Sequence, residues 1–311
     1  MYNIRTDLAL EAAQMCDKAF KIDGADVKER NIDGVLVTDV KINTEFAAEK
    51  IGKPIGEYIT IEARSIREGD EEVCKRVEKV LSGELVRLVK PQKNKKVLVV
   101  GLGNWNITPD ALGPKVAGAV CVTRHLFEHK AIKEDSQVCS VSAVAPGVLG
   151  ITGIETGEII KGIAERSAPD VIIAIDALAS RSMERVSTTI QLSDTGIIPG
   201  SGIGNSRNGI TEETMGVPVI AIGVPTVVDA ATVANDSIEM LTEAVRISAG
   251  EESGLYGVLK TFEGDSRYAL IKEVLKPFVG NLIVTPKEVD EIIDNISAII
   301  ADSINYALLG E

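Results

Sequence analysis

An α/β fold, a mostly parallel sheet sandwiched by helices with an additional small β layer, is what the sequence predicts, and three observations carry that expectation. Val97-Leu98-Val99-Val100 runs into Gly101-Leu102-Gly103 and then into Thr108-Pro109-Asp110 and a row of small residues. That is the profile of a strand, a tight crossing and a helix start. Val171-Ile172-Ile173-Ala174-Ile175 is a second unbroken apolar run and Val217–Gly223 a third; runs without polar alternation read as strands buried on both faces. Helical patterns at Val116–Phe127 and Gly157–Arg166 fall between these strands. Strand–helix alternation of this kind implies parallel crossovers with helices on both faces.

The remaining elements follow in chain order. Thr6 or Asp7 is placed to cap a helix over Leu8–Ala13. Gly34–Ile42 and Tyr58–Ala63 alternate apolar and polar residues, which predicts a β hairpin layer outside the main sheet. Glu71–Val89 carries apolar residues at helical spacing, from Val73 and Val77 to Leu85 and Val89, with charges between them. In the crossing at the centre, Thr108 reads as an N-cap, Pro109 as the first helical residue and Asp110 as an acid at the positive end of the helix. Val138–Val144 reads as a strand, and Ser187–Leu192 as another that leads into the glycine-rich loop Thr195–Asn205. Thr226–Asp229 resembles a capping box, Glu251–Gly264 a polar linker, and Pro286–Leu309 an amphipathic helix capped by Thr285. Two stretches, about 30–65 and 187–215, thus read as β elements inserted into one α/β domain.

Composition bounds the function. The chain has 311 residues, 45% of them apolar, and a formal charge of −13. So acidic a surface disfavours nucleic acid as a direct partner. The N-terminal stretch carries Arg5, Asp7 and Glu11, and no apolar run reaches the length of a membrane span, so a cytosolic protein without membrane contact is expected. Cys16, Cys74, Cys121 and Cys139 form no C-x-x-C pair, which argues against a zinc site and predicts free, mostly buried thiols.

With His125 and His129 the only histidines, a Ser-His-Asp or Cys-His machine is disfavoured. At i and i+4 the two could share a helix face, but no H-E-x-x-H is formed. Gly101-Leu102-Gly103-Asn104-Trp105-Asn106 invites a dinucleotide-binding reading, yet Asn106 replaces the third glycine of G-x-G-x-x-G. Chemistry then rests on carboxylates. Asp110 reads equally as a helix-start acid and as a functional one; Asp176, where a core strand stops, lies where open α/β sheets keep their ligand crevice. Two carboxylates that meet over one water push their pKa values apart, so that one serves as base and the other as acid, an assistance of ~10²–10⁴ in rate. Glu155 and Asp194 are weaker candidates that also read as turn caps, and Asp229 reads as a helix cap.

Long runs of the chain resemble the germination proteases of endospore-forming bacteria: GLGNWNITPDALGP (101–114), APGVLGITGIET (145–156), VIIAIDALASR (171–181), TTIQLSDTGIIPGSGIGN (188–205), GVPVIAIGVPTVVDAATVA (216–234) and LIVTPKEVD (282–290). The resemblance implies a cytoplasmic endopeptidase of the spore core that degrades small acid-soluble spore proteins. It also implies a fold related to the hydrogenase maturation endopeptidases, a homotetramer, and a zymogen activated by autocleavage. The family's two essential aspartates fall on Asp110 and Asp176. Its processing pattern, R-T-D-L-A-x-E, falls on Arg5–Glu11, so the implied cut is Asp7–Leu8, with residues 1–7 a propeptide and 8–311 the peptidase domain. Substrates of the family are cut after an acid, before an apolar residue and Ala, with a Glu downstream. Thr44-Glu45-Phe46-Ala47-Ala48-Glu49 repeats that pattern and could be a second self-cleavage site, a pseudosubstrate or an ordinary solvated strand end. No cofactor is certain. A divalent metal bridging Asp110 and Asp176, with His125 the one histidine to consider, is an alternative in the manner of the maturation proteases, and a non-catalytic nucleotide-binding protein is a further one.

Overall fold

The computed structural model describes residues 6–17, 19–129, 131–132, 138–198, 209–261, 265–279 and 282–310. The strands are β1 (Ala25–Ile32), β2 (Val35–Ile42), β3 (Gly56–Glu62), β4 (Lys96–Gly101), β5 (Ser140–Val144), β6 (Val171–Ser180), β7 (Thr189–Ser193), β8 (Val219–Asp229) and β9 (Ile283–Val284). The helices are α1 (Ala9–Cys16), α2 (Glu45–Ile51), α3 (Glu71–Val89), α4 (Leu112–Ala119), α5 (Arg124–Glu128), α6 (Leu149–Thr152), α7 (Thr156–Ser167), α8 (Glu212–Met215), α9 (Ala230–Ala249), α10 (Gly254–Thr261), α11 (Asp265–Val279) and α12 (Val289–Leu309).

All the strands join one sheet in the order β1-β2-β3-β7-β8-β6-β4-β5, with β9 on β8. The half β5-β4-β6-β8 is parallel, as the apolar runs predict. The predicted outer β layer is instead the antiparallel continuation of the same sheet: β3 pairs with β7, and β7 with β8. Alternation in β2 and β3 shows only that one face of the hairpin is buried more than the other. The partner that takes up its edge, β7, lies 127 positions beyond β3 and completes backbone bonding that an isolated hairpin would leave open.

One face of this sheet is covered throughout by α3, α4 and α12. Val77, Leu81 and Leu85 of α3 and Ile293, Ile296 and Ile300 of α12 meet Val37, Ile61, Val99, Ile173, Ile190 and Ile222 from both halves. Asp70 starts α3 by accepting the N–H groups of Glu72 and Val73 at 3.0 and 3.1 Å, and Lys90 ends it in the left-handed conformation. By length and composition α12 could cross a membrane, yet it packs on α3 and α4 and 61% of its most apolar stretch is buried, as befits a core helix.

The opposite face carries two separate clusters. Ile160 and Ala164 of α7 cover Leu98, Val100, Ile172 and Ala174 of the parallel half. Ala9, Leu10 and Ala13 of α1 and Ala47 and Ile51 of α2 cover Val40, Ile42 and Tyr58 of the antiparallel half. Between the two clusters the sheet presents a buried row that includes Asp176, Gln191 and Thr60, and the candidate site lies there.

Several elements depart from the sequence reading for local reasons. The helix expected over Val116–Phe127 breaks between α4 and α5, where Thr123 donates to the Cys139 carbonyl at 2.7 Å and accepts from Val141 N–H at 2.9 Å, stitching the break to β5. The stretch expected as a polar linker contains α10. Thr285 donates to the Thr226 carbonyl at 3.0 Å rather than capping α12. The Thr44–Glu49 repeat is no strand end: Thr44 accepts Ala47 N–H at 3.2 Å and caps α2, leaving Phe46 exposed. The cysteines are free, with Cys139 buried but Cys121 exposed. From residue 199 on, the glycine-rich loop Thr195–Asn205 lies outside the described residues, as do residues 1–5 of the expected propeptide.

Candidate active site

Asp176 does not end its strand. β4 stops at Gly101, paired with Ile175, while β6 continues beside β8 as far as Ser180, so Asp176 is the first β6 residue past the end of β4. It is 6% exposed, and one carboxylate oxygen accepts the N–H of Ala177 at 3.0 Å. Alternation puts it on the face opposite Ile173 and Ile175, the face of the two separate clusters.

Asp110 reaches the same end of the sheet through the crossing after β4. Thr108–Asp110 is a single 3₁₀ turn with Pro109 inside it, and α4 starts only at Leu112, so Asp110 precedes the helix instead of sitting in its first turn. Leu102 N–H donates to the Ile175 carbonyl at 2.8 Å and Asn104 N–H to the Asp110 carbonyl at 3.0 Å, which ties the turn to the residue before Asp176. The turn packs against β6 and β8. Two glycines make this crossing possible. A Cβ on Gly113 would stand 2.2 Å from the Leu102 carbonyl oxygen and 2.6 Å from that of Ile175, and Gly103, at φ +113°, would put one 2.0 Å from the Asp110 carbonyl oxygen.

The third component is the chain's own N-terminal segment. Asp7 N–H donates to the Ala179 carbonyl at 3.1 Å, and Ala179 N–H donates to the Asp7 carboxylate at 2.9 Å. Asp7 is therefore docked on β6 three residues past Asp176. Its carbonyl oxygen accepts from Lys53 Nζ at 2.9 Å and from Gln191 Nε2 at 3.3 Å. The other end of the Gln191 amide accepts Ala9 N–H at 2.7 Å. Leu8 between them is fully buried. Leu8 N–H donates to the Thr6 hydroxyl at 3.1 Å, and that hydroxyl donates in turn to the Glu11 carboxylate. Glu11, 3% exposed, also accepts Arg181 N–H at 2.8 Å, Ser182 N–H at 3.0 Å and the Arg185 guanidinium at 3.3 Å. A buried carboxylate with this many charged and polar donors is compensated.

Lys53 and Gln191 were not singled out by the sequence reading. Lys53 follows the left-handed Gly52 that ends α2, and both Gly52 and Lys53 donate N–H bonds to the Ala48 carbonyl. The substrate-like segment thus forms the helix whose C-terminus presents Lys53. Lys53 is half-buried; burial pulls its ammonium pKa down, while the charges of Asp7 and Glu11 oppose that shift. Gln191 is paired with Gly223, and Gly223 with Asp176. The row Asp176–Gly223–Gln191 crosses the sheet on one face, its outer members about 10 Å apart at the backbone by two interstrand spacings of ~4.8 Å.

Of the weaker candidates, Asp194 accepts Glu57 N–H at 2.8 Å and Asp229 accepts Ala231 N–H at 2.8 Å to cap α9. Glu155 precedes α7 without a side-chain cap bond. His125 and His129 are exposed on and just after α5, which packs on β5 beside the start of β4, at the opposite end of the parallel strands from Asp176. Among the described residues no group of three His, Cys, Asp or Glu side chains converges as a metal-ligand set. The donor set anticipated for a bridging metal, with His125, therefore does not fit this geometry.

A NiFe hydrogenase maturation protease from Thermococcus kodakarensis KOD1 superposes over 68% of this chain and 92% of its own, at 14% identity and a TM-score of 0.33. Sequence comparison reaches much closer relatives. Proteins named germination protease from Caldanaerobacter subterraneus subsp. tengcongensis, Clostridium perfringens and Bacillus thuringiensis subsp. konkukian are 53%, 48% and 44% identical. The alignments cover 98%, 99% and 99% of this chain and 94%, 96% and 94% of the relatives. The germination protease family model matches residues 5–252 and 241–311. On that evidence the chain belongs to the germination protease family and is an endopeptidase.

Proposed function

We propose that this endopeptidase is made as a zymogen, removes residues 1–7 by cutting its own Asp7–Leu8 bond, and hydrolyses that bond with Asp110 and Asp176. The observation that carries the reading is the docking of Asp7 on Ala179, three residues from Asp176 on the same strand. Water adds to the Asp7 carbonyl carbon while one aspartate takes its proton; the other aspartate delivers a proton to the Leu8 nitrogen as the C–N bond breaks. The substrates are small acid-soluble spore proteins, cut at acid–apolar–Ala sites with a Glu downstream. The side chains of Asp7, Leu8 and Glu11 in this docked segment have the chemistry of such a site. The enzyme works in the cytoplasm of the spore core as a homotetramer, without direct contact to nucleic acid or membrane. Met240 and Ile247 of α9, Leu255 and Val258 of α10 and Val274 of α11 are exposed, an apolar surface suited to subunit contacts.

The test is incubation of the purified chain at mildly acidic pH, followed by intact-mass measurement. The expected product has lost seven residues and begins at Leu8, and neither Asp110→Asn nor Asp176→Asn forms it. Retention of self-cleavage in both variants would overturn the acid pair. Loss of activity in a chelator with recovery on adding a divalent ion would assign the step to a metal instead.

A further inference from the structure

We propose that Lys53 and Gln191 are catalytic residues that stabilise the negative charge arising on the Asp7 carbonyl oxygen as the Asp7–Leu8 bond is attacked. The inference rests on the proposed cut at Asp7–Leu8 and adds to it the groups that make that carbonyl electrophilic. When water oxygen bonds to the carbonyl carbon, the C=O π pair moves onto oxygen. The attacking water gives up a proton to the acid pair, and the intermediate collapses as the pair returns, the C–N bond breaks and Leu8 leaves as an amine. The developing alkoxide is the point where fixed donors lower the barrier most, because they interact more strongly with it than with the ground-state carbonyl.

The geometry assigns both donors. The Lys53 ammonium lies 2.9 Å from the Asp7 oxygen, within the range effective for an oxyanion, and Gln191 Nε2 at 3.3 Å is the second donor to the same atom. Lys53 is fixed to the capped end of α2, and the Gln191 amide is oriented by the bond from Ala9 N–H to its oxygen, which leaves the NH₂ facing Asp7. Gln191 is 8% exposed, so its bond is made largely out of water, where it is electrostatically stronger. The amide also shares the cross-sheet row of Asp176, so the site combines an acid from β6 with donors from β7 and from the end of α2.

Three variants of the full chain, each checked by its thermal midpoint, test the role: Lys53→Met, Lys53→Arg and Gln191→Glu. The readout is the rate of appearance of the Leu8 N-terminus by mass spectrometry across pH 5–10. Loss of one such donor is expected to slow self-cleavage by about 10²-fold. Gln191→Glu keeps an acceptor for Ala9 N–H but removes the donor, so it separates chemistry from docking. Lys53→Arg retains a cationic donor and is expected to keep more of the rate than Lys53→Met, and Gln191→Glu decides the question where Lys53→Met folds poorly. Wild-type rates in Gln191→Glu, or in a folded Lys53→Met, would overturn the assignment while leaving the cut site standing. Failure of the wild type to form the Leu8 end would instead overturn the proposed cut.

Discussion

The parallel half of the sheet and its antiparallel half share one apolar layer on one face and differ on the other. In the parallel half, the glycine crossing that follows β4 brings the Asp110 turn against β6, the strand of Asp176. In the antiparallel half, α1 and α2 cover the strands, and residues 6–11 are held by Lys53 after α2, Gln191 of β7 and, from the β6–β7 connection, Arg185. The parallel half carries Asp110 and Asp176 and, through Ala179 of β6, one side of the docked segment; Lys53 and Gln191 of the antiparallel half hold its other side. Asp176 sits on a buried strand and Asp110 beside a close backbone crossing, whereas residues 6–11 are held by polar side chains.

That division is open to attack by substitution. Asp176→Asn should have the largest effect, a loss of at least ~10²–10⁴ in self-cleavage, with residues 6–11 still docked as judged by protection of α1 amides in hydrogen exchange. Glu11→Ala strips a buried carboxylate from Arg185 and two backbone N–H groups, and should cost about 3–5 kcal/mol. Its α1 amides should then exchange early while the parallel strands stay protected. Leu8→Ala, at a fully buried position, should loosen the same segment by about 2–5 kcal/mol; an equal loss of protection in β4 and β6 would contradict separate halves. If the grip is within one chain, as the contacts between Asp7 and Ala179 imply, the rate of self-cleavage should not change over a hundredfold dilution. Arg64→Ala breaks a pair with Glu184 in which both side chains are highly exposed, and should shift stability by less than about 1 kcal/mol.

How legible this was depended on the range of the interactions. β4, β6 and α3 could be read directly, since an unbroken apolar run or a 3.6-residue spacing is a local property of Val97–Val100, Val171–Ile175 or Val73–Val89. Asp110 and Asp176 stood out because each follows such a run. Asp176 was read as a strand end because its carboxylate interrupts the apolar pattern, but β6 continues since β8 offers backbone partners as far as Ser180. Lys53 and Gln191 gave no local signal: a lysine after a helix and a glutamine in a strand are ordinary on any surface. The repeat at Thr44–Glu49 resembled a cleavage site, whereas its cap and the left-handed Gly52 make it the helix that aims Lys53.

By itself the sequence determined the α/β class, the strands of the parallel half and the family resemblance, and it singled out two candidate acids, because periodicity, residue type and motif are written in consecutive positions. Only the tertiary structure decided that the hairpin extends the main sheet, that Asp7 lies on Ala179, and that a lysine and a glutamine 138 positions apart meet at one carbonyl oxygen. Those contacts join segments whose separation along the chain leaves no periodic trace, and they exist because folding places α1, α2 and β7 on the same face of one sheet.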